Sequence, residues 1–382
     1  ARLPRAAARM PLNHDHINTA FHTAPATKTT DAAMTTTVKN QQWIYSSRPE
    51  GEVSNENYTF AADVDLTFDP SIPDMLLVKA LHLSVDPYMR IQQSRFNTWE
   101  EPHPLGQVQG GGAVAVVVKS SDTRADGIRE GAVVSCYTGW QSHAVISTSA
   151  ARKVTWDAGT APLSYALGIL GMPGRTAYFG FLEAGKPKAG ETVVVSGACG
   201  AVGSIVVQIA KIKGCRVVGI AGSDEKCALL KSRFGVDATI NYKLHPGHSN
   251  MVRALQEACP EGVDVYFDNV GGEITDAIFD VLRLRGRVII CGQITQYSGG
   301  LDSPALGPRF LHKVLYTRCT IQGILARDYA HRHDEMVSQM LVWIQEKRIC
   351  YEESHVKGFN QLPNALQSLF HGSNKGKLVV DV

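Results

Sequence analysis

The sequence predicts an α/β fold in which a doubly wound parallel sheet joins a smaller β domain, and three observations carry that reading. From about residue 161, short apolar strands alternate with amphipathic helices. One of these strands runs straight into a glycine-rich turn and a helix, Val193-Val-Val-Ser-Gly197-Ala-Cys-Gly200-Ala-Val-Gly203-Ser-Ile-Val-Val-Gln-Ile-Ala-Lys. Before residue 161 the pattern is instead short strands punctuated by Gly, Pro and Asp.

Residues 1–37 read as an extension outside the fold. They carry Arg2, Arg5 and Arg9, then His14, His16 and His22, then a Thr/Ala/Pro-rich stretch without apolar periodicity. A disordered extension and an Arg-rich, acid-poor organelle transit peptide both fit. Met10 and Met34 are candidate initiators. In the β domain, residues 38–160, the strands are Met75–Leu81, Gly112–Val118 and Gly131–Cys136.

Residues 161–344 give the alternating part. Strands are expected at Glu191–Ser196, Arg216–Ile220, Ala238–Asn241, Val263–Asp268 and Gly286–Ile290. Helices fall between them, at Gly203–Lys213, Asp224–Phe234, Met251–Cys259 and Glu273–Leu282, with a further helix at Asp334–Lys347. Repeated strand–helix units imply right-handed crossovers and a parallel sheet. Lys377–Val382 is a final strand.

Composition narrows the function. Thirty-eight Lys+Arg balance 36 Asp+Glu, which argues against nucleic-acid binding as the main role. Eight cysteines stand scattered, with no CxxC and no zinc-knuckle spacing, as expected of a reducing, cytoplasmic setting. An organelle is the alternative if the extension is a transit peptide. No apolar run reaches the roughly 18–20 residues of a membrane span.

The glycine-rich turn is the strongest motif. Gly197 permits a tight exit from the strand, Gly200 lets the backbone approach a pyrophosphate, and Gly203 permits close helix–strand packing. The helix N-terminus then faces the anion. The next strand, Val217–Gly222, ends in small residues with no carboxylate at its tip. A ribose 2′-phosphate fits there, with Lys226 as counter-charge, so NADPH is expected over NADH. Asp224 and Glu225 oppose this locally, but they also suit the first turn of a helix.

With these residues in hand, the chain resembles the zinc-free medium-chain dehydrogenase/reductases, in the group of prostaglandin reductases and alkenal/one oxidoreductases. The resemblance covers about residues 38–382. It rests on Leu83-Ser-Val-Asp-Pro-Tyr88-Met-Arg90, Gly171-Met-Pro-Gly174-Arg-Thr-Ala-Tyr178, Gly222-Ser-Asp-Glu-Lys226, Asn241-Tyr242, Val263–Gly272 and Cys291-Gly-Gln-Ile-Thr-Gln-Tyr297. It implies a GroES-like β domain, completed by residues 345–382, around a Rossmann-like cofactor domain. It also implies NADPH contacts: Gly200, Ala201, Val202 and Gly203 at the pyrophosphate; Gly222, Lys226 and Tyr242 at the 2′-phosphate; Asn269, Cys291, Gly292, Gln293, Ile294 and Tyr297 toward the nicotinamide; and Asn374 returning from the C-terminal segment.

Zinc-dependent relatives bind metal through Cys and His. This chain has one Cys before residue 190, Cys136, and reads Gly106-Gln-Val-Gln-Gly110 where they resemble a Gly-His-Glu segment. His82, His103 and His143 are expected in surface or packing roles, and no metal is expected.

Without a metal, the expected hydride acceptor is an alkene conjugated to a carbonyl, an enone or enal. The enolate oxygen then needs a hydrogen-bond donor. The resemblance supports Tyr297 as principal hydroxyl and Tyr88 as a substrate-side contact. Tyr137 matches a substrate wall, with a core aromatic as the alternative. Arg90 is a candidate for a substrate carboxylate, with an internal ion pair as the alternative. Residues 298–316 read as a lid or a plain surface loop. The expected partner is the small-molecule substrate, and a homodimer is allowed. Rival readings are an NADPH quinone reductase and a non-catalytic NADPH-binding protein.

Overall fold

The structure is a computed structural model that describes residues 34–95, 99–299 and 305–382. Expectations for residues 1–33, and for 300–304 of the lid segment, lie outside the described residues. Thr35–Val382 pack as one compact unit. Its first strands are β1 (Thr36–Tyr45), β2 (Tyr58–Phe68), β3 (Met75–Ser84), β4 (Gln107–Val108), β5 (Gly112–Ser120), β6 (Val133–Tyr137), β7 (His143–Ser147) and β8 (Ala151–Lys153). Then follow β9 (Thr192–Val195), β10 (Arg216–Ala221), β11 (Ala238–Asn241), β12 (Val263–Asp268), β13 (Leu282–Ile290) and β14 (Thr320–Gly323). β15 (Glu353–Lys357) and β16 (Lys377–Asp381) end the succession. β1 begins at Thr36, slightly before the expected boundary at residue 38.

β9 to β14 form a wholly parallel sheet in the order β11-β10-β9-β12-β13-β14. Its period-2 alternation is visible in β9, where Val193 and Val195 enter one buried layer and Val194 the other. Helices Gly203–Ile212, Asp224–Phe234, His248–Ala258 and Gly272–Val281 cross between consecutive strands. The order reverses between β9 and β12. That gap, at the carboxyl ends of the strands, is where open α/β sheets hold ligands.

The second large sheet is mainly antiparallel, in the order β15-β16-β3-β5-β6-β8, with β7 also paired to β3. β16 lies between β15 and β3, so residues from 353 onward complete a sheet begun at residue 75. β1, β2 and β4 make a smaller third sheet.

Some boundaries differ from expectation for physical reasons. Gly247, at φ +81°, turns the chain so that a helix starts at His248 rather than Met251. β13 starts at Leu282, four residues early, with a register shift in its pairing to β12 and Arg285 at φ +61°. Part of the expected lid, Leu311–Thr317, is a helix.

Candidate active site

Gly197 leaves β9 at φ +57°. A Cβ on Gly203 would lie 2.3 Å from the Gly197 carbonyl oxygen, so only glycine lets the helix start this close to the strand end. Gly200, Ala201, Val202 and Gly203 therefore present backbone to a cleft of about 940 Å³. The turn is also stitched from outside. Gly376 N–H donates to the Cys199 carbonyl at 2.8 Å, and Gly376 pairs with Gly200 as an isolated parallel bridge. This brings Asn374 to the cleft wall, its amide on the Gly376 carbonyl at 3.0 Å.

Across the switch point, Asn269 ties β12 to β9. Its backbone N–H donates to Ser196 Oγ at 2.9 Å and its side-chain amide to the Ser196 carbonyl at 2.7 Å. Beneath it lies Asp268, fully buried, a residue the sequence reading did not single out. Its carboxylate accepts Ser196 Oγ, Tyr266 OH, Thr275 Oγ1, Gln293 Nε2 and the Val270 and Gly271 amides, all within 3.0 Å. These bonds fix both loops that border the switch point. The side chain of Gln293 is thus used inside this network, and Gln293 does not line the cleft.

Cys291, Gly292 and Ile294 do line it, with Asn269 and Tyr297. Burial pushes the Cys291 thiol up to about 12, so it is no nucleophile at neutral pH. Tyr297 closes the helix Ile294–Tyr297 and is buried. Its phenol oxygen accepts the Gln293 N–H at 2.9 Å, which leaves its own proton to donate elsewhere. Burial pushes its pKa up to about 12.

Gly222, Lys226 and Tyr242 gather at the carboxyl ends of β10 and β11. A Cβ on Gly222 would lie 2.9 Å from the Tyr242 ring. Lys226 Nζ donates to the Gly372 carbonyl at 2.8 Å, and burial lowers its pKa. The two neighbouring acids are occupied: Asp224 accepts Asn241 Nδ2 at 2.7 Å, and Glu225 pairs with Lys375. Lys243 and Lys375 also face Lys226, and their like charge adds to the lowering.

The opposite wall comes from the β domain. Tyr88 and Tyr137 line the cleft together, and burial raises the pKa of both phenols. Below them Lys377, fully buried, donates to the Val85 and Leu378 carbonyls and stands 3.3 Å from Asp86. Sequence reading missed this pair, although Asp86 sits inside the quoted Leu83–Arg90 segment. Arg90 departs from its expected role. Its guanidinium turns away from the cleft and donates to the Gly51 and Pro49 carbonyls, holding a loop.

Among the described residues, His82, His355 and Asp381 form the sole group with three ligand atoms close enough for a metal ion, and none lines the cleft. His103 Nε2 lies 3.0 Å from the Val108 carbonyl, and His143 Nδ1 3.1 Å from Ser142 Oγ.

A parallel sheet with a glycine turn at its switch point, facing a β-domain wall across one cleft, defines a dinucleotide-dependent oxidoreductase. Known proteins agree. The model of the family described as zinc-binding dehydrogenase matches residues 201–346, and that of the N-terminal domain of oxidoreductase matches residues 41–154. A 2-alkenal reductase (NADP(+)-dependent) of Nicotiana tabacum is 39% identical over 87% of this chain and 93% of its own. Prostaglandin reductase 1 of Rattus norvegicus is 37% identical over 90% and 99%. The crystal structure of CurA from Vibrio vulnificus in complex with NADPH superposes with a TM-score of 0.81 at 37% identity, covering 90% of this chain and 99% of that one. The chain belongs to the medium-chain dehydrogenase/reductases, in the zinc-free group that holds these reductases.

Proposed function

We propose that the protein is an NADPH-dependent reductase of the carbon–carbon double bond of α,β-unsaturated ketones or aldehydes. The residues fit the cofactor. The glycine turn leaves backbone room for a pyrophosphate at a helix N-terminus. Lys226, with its neighbouring acids engaged elsewhere, suits a 2′-phosphate beside Gly222 and Tyr242. Asn374 reaches the cleft at the glycine turn from the C-terminal segment.

When bound, NADPH supplies a hydride for the β-carbon of the acceptor. The observation that carries the reading is the Tyr297 hydroxyl, on the cleft wall with its oxygen already accepting a backbone N–H. A phenol held in this way is polarised as a donor and aimed before reaction. It stabilises the enolate oxygen as charge develops there, and its raised pKa keeps it protonated at neutral pH. Tyr88 and Tyr137 form the facing wall and orient the substrate. Water then protonates the α-carbon.

The test is NADPH consumption with an alkenal, a 15-oxo-prostaglandin and a quinone, each product analysed by mass and NMR. Saturation of the enal or enone double bond, unaffected by chelators, is expected. Turnover of the quinone alone makes the protein a quinone reductase, and no turnover at all makes it a cofactor-binding protein.

A further inference from the structure

One end of the cleft holds cationic groups that the reaction above does not use. Arg175 lines it, together with Arg152, His333, Ser135, Cys136 and Ala150. Arg175 lies in the helix Met172–Phe179, whose start is locked in place. A Cβ on Gly174 would fall 1.8 Å from the Ile169 carbonyl oxygen, and Thr176 Oγ1 bonds back to the Met172 carbonyl at 2.9 Å. The guanidinium is therefore held at the wall by rigid backbone.

Its charge has no internal answer. Among the described residues no carboxylate pairs with Arg175. Its Nε is buried without a hydrogen-bond partner, and Nη1 reaches only His333 Nδ1 at 3.5 Å. Burial and the like charge of Arg152 both lower its pKa. His333 gives no compensation, since burial, Arg152 and Arg175 push its pKa down to about 4 and leave it neutral. Arg152 has a partner, Asp334 at 2.8 Å, but that carboxylate is 85% exposed. A partly buried guanidinium without a counter-ion is costly unless a ligand completes it.

We propose that Arg175, supported by Arg152, forms an anion-receiving end of the substrate cleft, and that the preferred substrate is an enone carrying a carboxylate on its tail. This rests on the enone-reductase reading. The same carboxylate role was expected of Arg90, whose donors are spent on loop carbonyls. Two further features favour substrate over cofactor phosphate. Ser135, Cys136, Ala150 and Arg152 belong to the β domain and not to the turn at Gly200–Gly203. Ser135, Ala150, Arg152 and His333 also line a second groove of about 740 Å³, which leaves space beside the cationic end for a tail. Arg175 acts on specificity and takes no part in hydride or proton transfer.

The experiment compares wild-type protein, Arg175→Leu and Arg175→Lys with two probes, an alkyl vinyl ketone bearing a terminal carboxylate and its methyl ester. In wild type the acid should be preferred. In Arg175→Leu the acid-to-ester ratio of kcat/KM should fall about tenfold or more, and Arg175→Lys should retain part of it. Calorimetric titration of decanoate into the NADPH-loaded proteins should show binding in wild type and its loss in Arg175→Leu. Arg175→Leu should melt no lower than wild type, because an unpaired buried charge is replaced by an apolar side chain. An unchanged ratio, equal decanoate affinities, or a loss confined to NADPH affinity each overturns the proposal. If wild type reduces neither ketone, the enone reading fails and the decanoate titration alone decides the anion subsite.

Discussion

The phenol oxygen of Tyr297 accepts the backbone N–H of Gln293, four residues earlier, at 2.9 Å. The same Gln293 sends its side-chain amide to the buried carboxylate of Asp268. The hydroxyl is therefore positioned through a chain of bonds that ends in the strand β12 beneath the switch point.

Tyr297→Phe keeps the ring and removes the donor. Turnover of an enone should fall by about tenfold or more, toward the roughly 10²–10³ seen when an oxyanion donor is lost from a dry site. The substitution also orphans the Gln293 N–H, so a loss of about 1–3 kcal/mol in stability should accompany it. Steady-state kinetics and thermal melts separate the two effects. Wild-type turnover at the chemical step makes Tyr297 structural and moves the role to Tyr88.

Lys226→Ala should raise KM for NADPH by about tenfold or more, on the scale of a lost charge-assisted hydrogen bond, and barely alter KM for NADH. Parallel titration of both cofactors checks this. Equal effects would show that Lys226 serves only the Gly372 carbonyl it already holds.

Lys377→Met leaves Asp86 as a buried carboxylate without its cation. Breaking such a pair from one side typically costs about 3–5 kcal/mol. The urea midpoint should drop sharply, and Asp86→Asn combined with Lys377→Met should recover part of the loss. A double variant no better than the single one would place the cost in the carbonyl contacts of Val85 and Leu378.

Asp381 accepts both His82 Nδ1, at 2.7 Å, and His355 Nδ1, at 3.0 Å. Burial alone would lower the His355 pKa, but Asp381 and Glu353 outweigh it and raise it. Burial likewise opposes ionisation of Asp381, and the two imidazoles reverse it. The raised imidazole stabilises the fold fully below its ordinary value of 6.5, and that contribution is lost as pH rises through the folded value. The depressed carboxylate contributes above its ordinary 3.8 and loses this as pH falls through the folded value. The melting-temperature gap between wild type and Asp381→Asn should thus be widest in mild acid and shrink toward mild alkali. A gap independent of pH would refute the coupling.

The parallel sheet was legible because its signals are local. Asp224–Phe234, Ala238–Asn241 and Val263–Asp268 fall where periodicity and caps predict them. Ser223 Oγ, for instance, accepts the Lys226 N–H as an N-cap. The residues around Gly200, Asn269 and Tyr297 were legible as strand ends and through resemblance. Asp268 read only as the end of a strand, because its donors include Ser196, 72 positions earlier, and Gln293, 25 positions later. Arg90 and Arg175 are both arginines beside apolar positions, and nothing in the linear pattern tells which guanidinium meets loop carbonyls and which meets the cleft. Lys377 looks like the first residue of an edge strand, yet β16 lies inside its sheet and buries it.

That interior place of β16 sets the order in which the chain can fold. Neighbours in the parallel sheet pair across at most the 72 positions between Val193 and Val265, so this half can assemble as its units appear. The other large sheet needs Lys377 to meet Val85, 292 positions earlier. Closing so long a loop is entropically slow, and until it closes β3 has a bare edge where β16 belongs. Because Gly376 also clasps the turn at Gly200, a cofactor that fills the turn acts as a folding template. It favours the returning segment over a strand from another molecule, so refolding yields should rise with the cofactor present.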